Sequence, residues 1–290
     1  MAAIETTPVT IIGGYLGSGK TTLVNHLLRN AAGKRLAILV NEFGELPIDA
    51  DLIEAQDDDI ISLSGGCVCC SYGNDLIMAM LDLTKMQPMP DHIVLESSGV
   101  ALPGAIAKSL SLLKGYSVDG IVVLADAETV RERLVDKYMA DTVQRQLADA
   151  DIVLLNKTDL IDEIELILAR DCVRAASQGA AIVETQQAVA PISVVLQSHP
   201  ANVGGSVSDS HDTSVFESFK LDADEAVDVQ EFAKSIITDN ASIVRAKGFV
   251  RDLHGNYQTL QIVGKRIAIS AADSHVEAGV VVIRLKTEVG

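Results

Sequence analysis

Residues 14–21 read Gly-Tyr-Leu-Gly-Ser-Gly-Lys-Thr, the pattern G-x-x-x-x-G-K-[ST] without a gap. An apolar run, Val9–Gly13, precedes the pattern, and Leu23, Leu27 and Leu28 follow at helical spacing. The loop therefore joins a buried strand to a helix, the context in which this pattern cradles phosphates. Its glycines let the backbone wrap until N–H groups converge on phosphate oxygens. The helix N-terminus adds the positive end of its dipole. Lys20 can bridge the β- and γ-phosphates, and the Thr21 hydroxyl can ligate Mg²⁺.

The chain up to residue 196 repeats this strand-then-helix alternation. Further strands are expected at Leu36–Val40, Ile60–Leu63, His92–Leu95, Ile121–Leu124 and Ile152–Leu155. Helices are expected at Thr21–Asn30 (closed by Gly33), Asp75–Leu83, 103–113 and 128–149, with Met78 and Met80 as core filler. Such alternation predicts an α/β fold, a P-loop NTPase domain with a mostly parallel sheet covered on both faces. Binding loops then lie at the carboxyl ends of the strands.

Two of those ends carry further chemistry. Asn156-Lys157-Thr158-Asp159 follows the strand that closes at Leu155. Guanine presents N1–H and an N2 amine on one edge, and an ionised Asp159 can accept both. Adenine has no matching donor pair, so it would leave the aspartate unpaired; GTP is expected over ATP. His92-Ile-Val-Leu-Glu96-Ser-Ser-Gly99 places an acid at another strand end. There Glu96 can hold Mg²⁺ through water, and the Gly99 N–H can sense the γ-phosphate.

Charge and cysteine usage narrow the class. The 290 residues carry 23 Lys+Arg against 40 Asp+Glu, a net charge of −17, so phosphate-rich surfaces are repelled at long range. No nucleic-acid or membrane partner is expected, and no run approaches the ~18 apolar residues of a bilayer span. Met1–Thr7 lacks the basic start of a secretory signal, so a cytoplasmic protein is expected. Of four cysteines, Cys67, Cys69 and Cys70 crowd together while Cys172 stands alone in a helical stretch, where core packing is its expected role. Neighbours this close do not form disulfides readily, but three thiolates can converge on a soft cation such as Zn²⁺. The C-x-C-C spacing leaves that site open, which suits metal that comes and goes. The six scattered histidines show no ligand spacing.

Gln197–Thr213 is rich in Ser, Gly and Pro without periodicity, as in a linker. Beyond it, strands at Val215–Leu221, Ile243–Val250, Tyr257–Val263, Ile267–Ser270 and Val280–Leu285 surround a helix at Ala226–Ile237. The expected organisation is a nucleotide-binding domain over 1–196, a linker over 197–214 and a small α+β domain over 215–290.

Taken in order, GYLGSGKTT, VNEFGE, SGGCVCC, ESSG and NKTD resemble the CobW-like metallochaperone GTPases, a family of zinc-transfer, cobalamin-pathway and nitrile hydratase activator proteins. Val244-Arg-Ala-Lys-Gly-Phe-Val250 is similar to the entry of that family's C-terminal domain. The resemblance implies a GTPase with slow intrinsic turnover that couples GTP to delivery of a metal, zinc first and cobalt or iron next, to a client protein. It implies phosphate and Mg²⁺ binding by residues 14–22, including Gly14, Gly17, Ser18, Gly19, Lys20, Thr21 and Thr22. Asn156, Lys157 and Asp159 would bind guanine, and Cys67, Cys69 and Cys70 the cargo metal. Glu42, in the nucleotide-sensitive VNEFGE segment, becomes a candidate fourth ligand or water-positioning group, with Asp49 a weaker one. The histidine-rich stretch of many relatives is missing, since the linker holds only His199 and His211; single-ion transfer fits better than storage. No residue is marked as an arginine finger, and a homo-oligomer remains open. The rival readings are an ATP-dependent kinase, a redox or metal-binding module with little turnover, and a GTPase serving cobalt or iron.

Overall fold

The computed structural model describes residues 6–31, 33–40, 60–63, 74–196, 215–240, 242–272 and 276–286. They belong to two compact units, one within Glu5–Leu196 and one within Gln197–Gly290. Among the described residues no helix is long and apolar enough to cross a membrane.

In the first unit the strands are β1 (Thr7–Gly14), β2 (Leu36–Val40), β3 (Ile60–Leu63), β4 (His92–Glu96), β5 (Tyr116–Asp126), β6 (Ile152–Asn156) and β7 (Ala181–Glu184). They form one sheet in the order β3-β2-β4-β1-β5-β6-β7, and every pairing is parallel. The helices are α1 (Lys20–Arg29), α2 (Asn74–Leu83), α3 (Pro103–Leu110), α4 (Val130–Arg133), α5 (Ala140–Asp149), α6 (Glu163–Ser177) and α7 (Ile192–Val195). Strands β2, β4 and β6 are buried throughout, as expected where both faces of a parallel sheet are covered. Because β1 lies between β4 and β5, its following loop opens at the point where strand order reverses, where ligands bind in such sheets.

Several bounds differ from the sequence expectation, each for a local reason. Strand β5 begins five residues before Ile121, because Asp119-Gly120 is no turn. The Asp119 carboxylate is buried and accepts from the Thr10 hydroxyl of β1 (3.1 Å). The single helix expected over 128–149 is two, because Asp136 Oδ1 accepts from the Tyr138 and Met139 N–H groups and closes a turn between them. Helix α1 ends at Arg29, one residue before the expected Asn30, whose amide donates to the His26 carbonyl (2.8 Å). Met80 is buried as expected, whereas Met78 is 54% exposed and fills no core. Cys172 is half-buried in α6. Strand β7, short and half-exposed, carried too little pattern to be expected.

In the second unit β8 (Phe216–Leu221), β9 (Ile243–Arg251), β10 (Tyr257–Val263), β11 (Arg266–Ala271) and β12 (Gly279–Leu285) pair antiparallel in the order β11-β10-β9-β12-β8. Helix α8 (Val229–Asp239) starts three residues later than expected, at a cap where Asp228 accepts from the Gln230 and Glu231 N–H groups. Its Ala233 and Ile236 join Val250, Leu260, Ile262 and Val282 in that unit's core.

Candidate functional site

Strand β1 delivers the glycine loop and α1 leaves it. Gly19, immediately before α1, has φ 105°, and a Cβ there would lie 2.6 Å from Asn156 Nδ2. Only glycine fits that conformation and that approach. The loop is folded on itself: Ser18 N–H donates to the Tyr15 carbonyl (3.2 Å), and so does Lys20 Nζ (3.3 Å). Ser18 is buried and its hydroxyl has no hydrogen-bond partner among the described residues, whereas Thr22 is exposed.

The Thr21 hydroxyl donates to Glu96 Oε1 at 3.0 Å, and Glu96 is buried at the end of β4. A hydroxyl beside a carboxylate at the mouth of a phosphate loop is a hard-oxygen donor set, so these residues fit Mg²⁺. Val40, the last residue of β2, is in register with Glu96.

Gly99 packs on the crown of the loop. A Cβ there would fall 2.5 Å from Leu16 Cδ2 and 2.9 Å from the Leu16 nitrogen. The turn is held from behind by buried Gln146 of α5, whose amide donates to the Gly99 (3.0 Å) and Ala101 (2.8 Å) carbonyls. Sequence reasoning did not single out Gln146; a lone buried polar residue on an amphipathic helix leaves no pattern to detect.

At the end of β6, Asn156 joins three segments. Its amide donates to the Ser18 carbonyl (2.9 Å), and its oxygen accepts from Ala188 N–H (2.7 Å) and the Thr185 hydroxyl (3.2 Å). One amide hydrogen is left without a partner among the described residues. Lys157 has φ 65° and pairs with buried Asp126 at the end of β5 (2.7 Å). Thr158 donates to the Thr185 carbonyl, and Asp159, exposed in the 3₁₀ turn Thr158–Leu160, makes no hydrogen bond among the described residues. The loop 185–190 was not expected from sequence; two consecutive residues in it, Gln187 and Ala188, have positive φ, which neither residue type signals.

The structure thus brings together Gly14, Gly17, Ser18, Gly19, Lys20, Thr21, Glu96, Gly99, Asn156, Lys157 and Asp159 at the carboxyl ends of β1, β4 and β6. Glu42, Asp49, Cys67, Cys69 and Cys70 lie outside the described residues. Of the histidines, His92 is buried with Nε2 2.8 Å from the Thr10 hydroxyl, and His26 Nε2 lies 2.9 Å from the Ala190 carbonyl.

Residues 8–184 match the family model described as CobW/HypB/UreG, nucleotide-binding domain. The chain is 32% identical to a Sinorhizobium zinc chaperone CobW, over 90% of this chain and 86% of that protein. It is 39% identical to the Escherichia coli zinc chaperone YjiA, over 56% of this chain and 52% of that protein. It is 32% identical to a zinc-regulated GTPase metalloprotein activator of Schizosaccharomyces pombe, over 77% of this chain and 58% of that one.

Proposed function

This chain belongs to the CobW/HypB/UreG family, and on that premise we propose that it is a GTP-hydrolysing metallochaperone that delivers zinc to a client protein. The observation that carries the reading is the convergence of two loops. The phosphate loop with Lys20, Thr21 and Glu96 is tied through Asn156 to the turn that presents Asp159.

In this reading Lys20 leaves the Tyr15 carbonyl for the β- and γ-phosphates, and Thr21 with Glu96 holds Mg²⁺. The bound Mg²⁺ neutralises charge on the phosphates. Asp159, unengaged by the described residues, accepts from the guanine edge, and Asn156 holds the loops that frame the base. Cys67, Cys69 and Cys70 bind the cargo metal as thiolates, with Glu42 as fourth ligand, and such clustered thiols suit a reducing, cytoplasmic location. The segment carrying Glu42 follows directly on Val40, beside Glu96 in register, and the cysteine segment follows β3, the neighbouring strand. That adjacency supports coupling of nucleotide state to metal affinity, of about 1–3 kcal/mol as in other two-site proteins.

Zinc affinity measured by competition with a chelating dye, with and without a non-hydrolysable GTP analogue, tests the reading. The expected result is tight binding that shifts with nucleotide and disappears when the three cysteines are replaced by alanine. Affinity equal in the GTP-analogue and GDP states would refute the coupling. Failure to bind zinc, with cobalt or iron bound instead, would change the cargo.

A further inference from the structure

Helix α4 carries a cation to the phosphate loop. Its Val130 is buried, and Arg133 N–H bonds to the Thr129 carbonyl (3.0 Å), so the last residue of this short helix is well placed. The Arg133 guanidinium lies over the Tyr15 ring, 5.0 Å from its centroid, and donates through Nη1 to the Leu16 carbonyl (3.1 Å). Tyr15 and Leu16 form the crown of the loop between Gly14 and Gly17. In a chain of net charge −17, an arginine stacked and hydrogen-bonded on a phosphate-binding crown calls for a reason.

We propose that Arg133 is a positioning residue for phosphoryl transfer: from the outer side of the loop, its guanidinium polarises the Leu16–Gly17 peptide so that the Gly17 N–H donates more strongly to the transferring phosphoryl group. The inference rests on the GTPase reading above. A trans peptide sets C=O and N–H in opposite directions. Since the Leu16 carbonyl faces the guanidinium, the Gly17 N–H faces away from it. In a loop of this class the N–H groups are those that meet phosphate. Gly17 has φ 75°, and among the described residues nothing lies within 4 Å of where a Cβ would stand. A charged donor on one end of a peptide strengthens the donor at its other end. The crown is also braced by the Gly99 turn, which packs against Leu16 as described above. A preorganised dipole of this kind acts on charge that develops in the transition state more than on the bound ground state.

The test compares wild type, Arg133→Met and Arg133→Lys in steady-state GTP hydrolysis with Mg²⁺, together with affinity for GDP and for GDP–aluminium fluoride. A direct transition-state donor is worth ~10²–10³ in kcat, and a residue acting through that donor a fraction of this. Arg133→Met is expected to lower kcat about tenfold with KM within about twofold. It should weaken GDP–aluminium fluoride binding and leave GDP binding unchanged, which also shows that the variant folds. Arg133→Lys, which restores a cation that can donate to the Leu16 carbonyl, should recover most of kcat. An unchanged kcat, an equal loss of GDP and GDP–aluminium fluoride affinity, or a lysine variant no better than methionine would overturn the inference while the GTPase reading stands. Wild-type turnover no greater than that of Lys20→Ala would overturn the GTPase reading and this inference with it.

Discussion

Truncating Asn156 separates holding the site together from touching the ligand. Asn156 is 2% exposed, and its partners Ser18 and Ala188 are 1% and 0% exposed. Asn156→Ala removes bonds to the Ser18 carbonyl, the Ala188 N–H and the Thr185 hydroxyl. Each buried backbone group left without its partner costs ~1–3 kcal/mol, so two of them sum to about 4 kcal/mol. That is a large share of the ~5–15 kcal/mol that keeps a domain folded. In urea, with a slope of ~2 kcal/mol/M, the midpoint of the nucleotide-binding unit should fall by about 2 M, read by far-UV circular dichroism. Asp159→Ala is the control: exposed and unbonded within the described residues, it should leave the midpoint within about 0.25 M, since surface changes stay within ~0.5 kcal/mol, while abolishing preference for GTP. A shift below about 0.5 M for Asn156→Ala, equivalent to ~1 kcal/mol, would refute the assignment of Asn156 as the tie between these loops.

Asp159→Asn should weaken GTP and favour xanthosine triphosphate, whose C2 carbonyl can accept from the new amide; unchanged preference in a competition assay would remove Asp159 from the base. Gly99→Ala should push the Leu16 backbone, since a Cβ would stand 2.9 Å from its nitrogen. At ~1–3 kcal/mol for such overpacking, affinity for a fluorescent GTP analogue should fall about tenfold or more, and unaltered affinity would contradict the packing. In the second unit, burial works against the charge of Asp252, but hydrogen bonds from Asn256, Gln258 and the His254 N–H outweigh it and hold the carboxyl below its ordinary 3.8. A depressed carboxylate stabilises above its unfolded pKa and loses this as pH falls. Melting temperatures of wild type and Asp252→Asn should therefore differ at pH 6, with the gap narrowing as pH falls below 3.8; a constant gap would count against that turn.

What could be read from one dimension was whatever has a fixed spacing. The glycine loop, the apolar strands behind it and the N-K-x-D turn are local patterns, because a strand, a loop and the start of a helix are set by neighbouring residues and by burial. Most strands of both units lie within a few residues of their expected places for that reason. Where expectation failed, a side chain reached out of its own pattern, as when Asp119 crosses to Thr10 or Asp136 closes a turn in the middle of a helical stretch.

The sequence by itself determined which residues are present for the proposed binding of phosphate, Mg²⁺ and guanine, since these depend on residue type at short separation. Only the tertiary structure decided what holds them. Gln146 staples the Gly99 turn, Asn156 ties Ser18 to the loop 185–190, and Arg133 rests on the Leu16 carbonyl from 117 residues away in the chain. Such contacts have no sequence period, because they come from strand order in a parallel sheet, which gathers the ends of distant strands along one edge.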